Sequence, residues 1–297
     1  MNTIVCLAVC ALAALALPHQ PPAASPSTAR RDTSGATSLG WELGLQAWTF
    51  RDRTAVEAID GAAALGLTCI ELYPGQPLSP TDKAEVGPRL TRDQRSLLRD
   101  KLRGAGVRAL SYGVVTIIND EAAARPHFEF VKDMGMTTIV CEPATEARDL
   151  TVRLAKEFGL RAAIHNHPMP SAYANPDVVL EALKDRAPVL GACADVGHWT
   201  RSGWRSVDCL KKLEGHVFEL HFKDVSNGRD SVWGTGDSDI RALLAELKRQ
   251  GFTGPLFVEY ETGRGKELEE NVARCVTFFD GVARELAGAA EPKKQGK

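Results

Sequence analysis

The sequence predicts a single-domain α/β fold, an eight-stranded (β/α)₈ TIM barrel, from three observations. Residues 40–288 make up about 250 residues, the usual length of such a barrel. Within them, a helix-like segment ending in Gly and followed at once by a short apolar or β-branched run recurs, as expected of a helix C-cap leading into a strand. Polar residues then cluster just after the apolar runs, where a parallel barrel gathers the carboxyl ends of its strands.

The chain opens on residues 1–17, which contain no Lys or Arg and hold the apolar run IVCLAVCALAALAL at positions 4–17. That run is too short to span a bilayer and has the length of a signal-peptide core. It is read as a signal peptide directing the protein to the periplasm or outside the cell, with no membrane association beyond export. Leu7-Ala8-Val9-Cys10 is a poor lipoprotein box, because Val9 suits that position badly and Cys10 lies early. The pair Arg30 and Arg31 follows the apolar run, which excludes a twin-arginine signal. Residues 18–39 are rich in Pro, Ser, Ala and Thr and nearly free of large apolar side chains, so burial cannot offset their ordering entropy. They are read as a disordered linker, and residues 289–297 as a disordered tail.

Five copies of the helix–Gly–strand pattern are plain: AAALGLTCIEL (62–72), LRGAGVRALSYGV (102–114), VKDMGMTTIVCE (131–142), AKEFGLRAAIHNH (155–167) and LKRQGFTGPLFVEYE (247–261). LGLQAWTF (43–50), VLGACADVGH (189–198) and GHVFELHFKD (215–224) bring the strands to eight, with room between them for crossover helices. The runs IVC, AAI, GACA and PLFV are continuously apolar, as strands buried on both faces must be. No G-x-G-x-x-G follows an early strand, so an open dinucleotide-binding sheet has little support.

Charge narrows the partners. With 36 basic and 38 acidic residues and a formal charge of −2, the chain lacks the electrostatic footprint of a nucleic-acid or anionic-lipid binder. A small-molecule substrate fits better. Beyond the leader lie Cys69, Cys141, Cys193, Cys209 and Cys275, with no C-x-x-C. Three fall inside apolar runs, where a free thiol behaves as a small hydrophobe.

The strand tips carry Glu71, Glu142, His165-Asn166-His167, Asp195 with His198, His221 with Lys223 and Asp224, and Glu259 with Glu261. Each follows an apolar run, so its side chain enters a partly desolvated mouth where an isolated charge is costly. A divalent cation relieves that cost. Oxygen and imidazole donors suit Mn, Zn, Co or Mg, and one such ion is expected as cofactor. A single tip histidine is more often a hydrogen-bonded core residue, but four of the chain's seven histidines lie at tips beside acids, which points to a site. Trp48, Tyr73, Trp199 and Trp233 could supply stacking faces for a sugar.

In this order the motifs resemble those of the xylose isomerase-like barrels, the superfamily of sugar (phosphate) isomerases and epimerases that also includes endonuclease IV. The resemblance spans residues 43–285 and rests on D-x-G-H (Asp195 to His198), L-H-F-K-D (Leu220 to Asp224) and V-E-Y-E (Val258 to Glu261). It implies Asp195, His221 and Glu259 as metal ligands, His198 as a substrate-contacting catalytic residue, and Lys223 near the substrate. Strand 5 departs from the pattern. Many members carry E-N-H there, where this chain has His165-Asn166-His167, so Glu142 is expected as fourth ligand and acid/base, with His165 or His167 completing the shell or contacting substrate.

The implied chemistry is isomerisation or epimerisation of a sugar through a metal-stabilised enediolate. Glu259 serves as ligand and base, and Glu142 or a strand-5 histidine works opposite it. A lyase or hydratase acting on keto-sugars or keto-glycosides is the alternative enzyme class, and an exported sugar-binding barrel is the non-catalytic one. Nuclease activity is disfavoured, since no His occurs between His19 and His127 and none after His221.

Overall fold

The computed structural model describes residues 31–288. Eight parallel strands close into a barrel: β1 (Trp41–Gln46), β2 (Cys69–Leu72), β3 (Arg108–Ile117), β4 (Thr138–Pro143), β5 (Arg161–His165), β6 (Leu190–Asp195), β7 (Val217–Phe222) and β8 (Gly254–Val258). β8 pairs with both β7 and β1, which completes the ring. Glu259 and Glu261 thus lie just past β8, and His198 on the short helix Val196–Arg201 after β6.

The helix–Gly–strand pattern has the expected cause. Gly66, Gly106, Gly135, Gly159 and Gly251 all sit at φ between +65° and +75°, where a side chain on an L-residue would be strained. Crossover helices start as cleanly: Thr54 with Glu57, and Thr91 with Gln94, form capping boxes at Ala55–Ala64 and Arg92–Ala105. The apolar strand runs and inward helix faces make one large core, with a second small cluster of Val140, Ala163 and Cys193. All five cysteines of the described residues are buried and unpaired.

The linker expected over 18–39 ends sooner than its composition suggested. Ser34–Ser38 is helical, Ala36 is buried, and Asp32 pairs with Arg284 at 3.1 Å on the last helix, Gly265–Gly288. Small residues made this contact possible: a Cβ on Gly35 would meet the backbone of Ala283 and Arg284 within 2.7 Å. The expected signal peptide, most of the expected linker and the expected tail lie outside the described residues, and no described helix is long and apolar enough to cross a membrane.

Candidate metal centre

β6 ends at Asp195, β7 carries His221 in register with it, and β5 ends at His165 beside Cys193 of β6. One donor atom each from His165, Asp195, His221 and Glu259 lies within 4.8 Å of the others, and all four residues are buried.

Local structure aims each donor. Asp195 is the N-cap of helix Val196–Arg201: its Oδ1 accepts from the His198 amide at 2.8 Å, which leaves Oδ2 for the site. Asn166 continues the strand pairing with its side chain, accepting from the Asp195 amide at 2.8 Å and donating to the Asp195 carbonyl at 2.9 Å. The histidine of β7 is held from behind. His221 Nε2 donates to Glu71 Oε2 at 3.0 Å, and its Nδ1 stands 2.9 Å from Glu259 Oε2. Glu71, fully buried, also accepts from Gln46 Nε2 at 3.0 Å and Ser111 Oγ at 3.1 Å.

Asp195 Oδ2, His221 Nδ1 and Glu259 Oε2 are buried without a hydrogen-bond partner. Three orphaned acceptor-type atoms converging from three strands, with His165 Nε2 3.5 Å from Asp195 Oδ2, are the donor set a divalent cation satisfies. The residues present fit a metal.

Glu142 takes a different place from the one expected. It accepts from the backbone N–H of His167 at 3.0 Å and pairs with His167 Nδ1 at 2.6 Å, while standing 3.6 Å from His165 Nδ1. It is not in that four-residue group but in a second one with His165 and His167, its carboxylate drawn toward the exposed His167. The His165 ring thus lies between the Glu142 and Asp195 carboxylates.

Lys223, expected to meet substrate, is fully buried. Its Nζ donates to Glu261 Oε1 at 2.7 Å and stands 2.9 Å from Asp195 Oδ2 and 3.1 Å from Glu259 Oε2, off the hydrogen-bonding angle to the last two. A carboxylate oxygen has two lone-pair sites, so this ammonium leaves one open on each. Gly197 makes the arrangement possible, since a Cβ there would lie 2.5 Å from Lys223 Cβ. That is the physical content of glycine in D-x-G-H. Asp224 is structural: its two carboxylate oxygens accept from the backbone of Val225, Gly234, Gly236 and Ser238 and fix that loop.

The charges follow from this packing. Burial alone would raise Asp195 and Glu259, but the Lys223 ammonium and the imidazoles around them hold both carboxyls well below the usual range. Burial likewise opposes a charged Lys223, and the acids surrounding it prevail. His198 goes the other way: burial drives it down to about 2, so it is neutral. Donor-only groups face both ring nitrogens, Arg201 Nη1 at 3.1 Å from Nδ1 and Lys223 Nζ at 3.3 Å from Nε2, and Nε2 stands 3.4 Å from Asp195 Oδ2. A second buried group, Glu71, Cys193, Glu219 and His221, lies deeper in the barrel. Burial and the neighbouring Glu71 raise Glu219 well above the usual carboxylate value, so it is an uncharged acid.

Above the donors opens a cavity of about 470 Å³ walled by Trp48, Tyr73, His167, His198, Arg201 and Glu261, among others. Trp48 is 41 % exposed and meets Tyr73 edge to face at 5.0 Å, an apolar wall of the kind that takes a sugar face. Trp199 and Trp233 are buried in the core and cannot stack on a ligand: Trp199 lies one helical turn past Asp195, on the inward face. Sequence reasoning missed Arg201 and the backing role of Glu71. Arg201 follows D-x-G-H by three residues, the one-turn spacing that could have drawn attention to it.

Glu71→Gln is expected to weaken metal binding about 10–100-fold with the fold intact, because one amide oxygen cannot accept from His221, Gln46 and Ser111 together. Titration of metal-free protein with zinc, followed calorimetrically, checks this; an unchanged affinity would remove Glu71 from the site.

A family model described as xylose isomerase-like TIM barrel matches residues 59–279. No protein of curated function matches the chain. Among solved structures, a protein from Parabacteroides distasonis ATCC 8503 is 31 % identical with a TM-score of 0.68, over 81 % of this chain and 98 % of that one. The IOLI protein with a bound zinc atom is 19 % identical at a TM-score of 0.65, over 84 % and 100 % of the two chains. D-psicose 3-epimerase from Clostridium cellulolyticum H10, solved with D-tagatose, is 11 % identical at a TM-score of 0.65, over 82 % and 99 %.

Proposed function

The chain belongs to the xylose isomerase-like TIM barrel family, and from that premise we propose that it is a divalent-metal-dependent isomerase or epimerase of a sugar or sugar derivative. The observation that carries this reading is the convergence of the orphaned Asp195 Oδ2, His221 Nδ1 and Glu259 Oε2, with His165 beside them, at the floor of a cavity with an aromatic wall. The zinc atom of the IOLI protein and the sugar of the D-psicose 3-epimerase structure support the class of cofactor and substrate.

His165, Asp195, His221 and Glu259 would hold the ion, which when bound supplies Lewis-acid stabilisation to an oxyanion next to the reacting C–H. Glu259 is ionised, lines the cavity and is the group to take a proton from that carbon. His167, nearly half exposed in the cavity and oriented by Glu142, is the second proton carrier, in the role expected of Glu142 or a strand-5 histidine. Neutral His198 and Arg201 line the cavity and fix hydroxyl groups of the sugar. Trp48 and Tyr73 exclude water from one sugar face.

The Glu142–His167 pair also favours a second reading. An imidazole set to protonate a departing oxygen would let the same proton abstraction end in β-elimination, so a lyase or hydratase on a keto-sugar or keto-glycoside shares this site. The apolar run at 4–17 supports export, where such glycosides are met. Mass-resolved product analysis of metal-replete protein with keto-sugars and a 3-keto-glycoside tests the proposal: isomerisation conserves substrate mass and elimination splits it. Stoichiometric metal should accompany either, and metal-free, inactive protein would overturn both.

A further inference from the structure

Two depressions adjoin the central cavity at the barrel mouth. One, of about 430 Å³, is walled by Arg51, Arg201, Arg229 and Arg264 with Glu261 and meets the cavity at Arg201 and Glu261. The other, of about 340 Å³, shares Arg51 and Arg264 with the first and Trp48 with the cavity. Four guanidinium groups therefore border a path continuous with the site.

Many arginines elsewhere on the surface are neutralised by carboxylates. Arg125, Arg153, Arg241 and Arg249 all close on carboxylates. In the depression, only Arg201 does so, pairing with buried Asp230 and standing 3.6 Å from Glu261. Arg51 spends one nitrogen on the Glu261 carbonyl at 2.6 Å and lies 5.7 Å from the Trp48 ring centroid. Arg229 and Arg264 are exposed and pair with no carboxylate of the described residues. Glu261 is itself bound to Lys223, so the local balance is positive in a chain that is slightly negative overall. Asp52 also faces the neighbouring depression and sets an inner limit to the positive patch.

We propose that this arginine rim is a subsite for an anionic group, a carboxylate or a phosphate, carried by the sugar whose reacting carbons lie over the metal centre. The inference rests on the reading of the cavity as a sugar site and narrows it to acidic sugars or sugar phosphates. Planar guanidinium forks match both anions in geometry, and a group anchored at the rim would fix which carbon of the sugar meets Glu259.

The test uses the full-length, metal-free protein, so that no anion can bind a metal instead. Calorimetric titration with glucose, glucuronate and glucose 6-phosphate should show one or both charged sugars binding at least about ten-fold tighter than glucose. That preference should weaken as salt is raised and vanish in the Arg229→Ala/Arg264→Ala double variant, whose altered side chains are exposed and leave the fold untouched. Which charged sugar gains most distinguishes carboxylate from phosphate. Equal affinities for all three sugars, or an undiminished preference in the double variant, overturn the proposal. If the anion preference holds while metal and turnover are absent, the rim stands and the isomerase reading falls. If neutral sugars turn over with metal and no anion preference appears, the rim alone falls.

Discussion

Replacing Lys223 by methionine is expected to destabilise the metal-free protein by about 3–5 kcal/mol, the usual cost of stripping a buried charge of its partner. The substitution roughly keeps the stem that packs on Gly197 but removes an ammonium within 3.1 Å of Asp195, Glu259 and Glu261. Asp195 and Glu259 then face each other in a dry site with only the His221 imidazole, 2.9 Å from Glu259, as counter-charge. In a domain of this size the loss corresponds to a fall in Tm on the order of 10 °C. A divalent cation restores positive charge to the same two carboxylates, so the gap between variant and wild type should narrow when manganese or zinc is added. Urea denaturation in chelator and in excess metal measures both effects. Equal stability of the two proteins in chelator would mean that Nζ is not the counter-charge of the empty centre.

Glu259→Gln is expected to lower turnover by about 10²–10⁴-fold through loss of proton transfer alone, with any loss of metal adding to it. The amide is nearly isosteric and stays beside His221 and Lys223, so the barrel should fold normally. Metal analysis separates the two roles: retained metal with lost turnover identifies the base, and joint loss identifies a ligand. Because Lys223 and His221 hold this carboxyl below its ordinary range, it is ionised at neutral pH but a weak base. Its effectiveness depends on the substrate C–H being acidified, which ties its function to the occupant of the donor set. Full activity in the variant would refute the role.

Much of this centre was legible in the sequence because barrel topology turns strand order into proximity. Asp195 and His221 pair in register on adjacent barrel strands, and Glu259 lies just past the next one, two residues beyond Phe257, the partner of His221. The place of Glu142 was not legible. His165 and Glu142 both end apolar runs on adjacent strands, and nothing in the sequence shows that the backbone amide of His167 captures the Glu142 carboxylate at 3.0 Å. Glu71 was undervalued for a related reason: a carboxylate at a strand tip reads as a ligand or as nothing, whereas here it faces inward and steers an imidazole. Trp199 shows the reverse error, since an aromatic next to a catalytic motif on a short helix can as easily point into the core. Lys223 was expected near the substrate, whereas it is fully buried, and the missing Cβ of Gly197 leaves room for its stem to run inward.

The contact between Ser34–Ser38 and the end of helix Gly265–Gly288 joins the two extremities of the described chain on the side of the barrel where the strands begin. The candidate donor groups lie at the far side, where the strands end. A circular permutant that ligates these neighbouring extremities and opens a crossover elsewhere would therefore leave the donor set and the arginine rim undisturbed. Immobilisation on a solid support through either extremity would likewise present the mouth to the bulk solution.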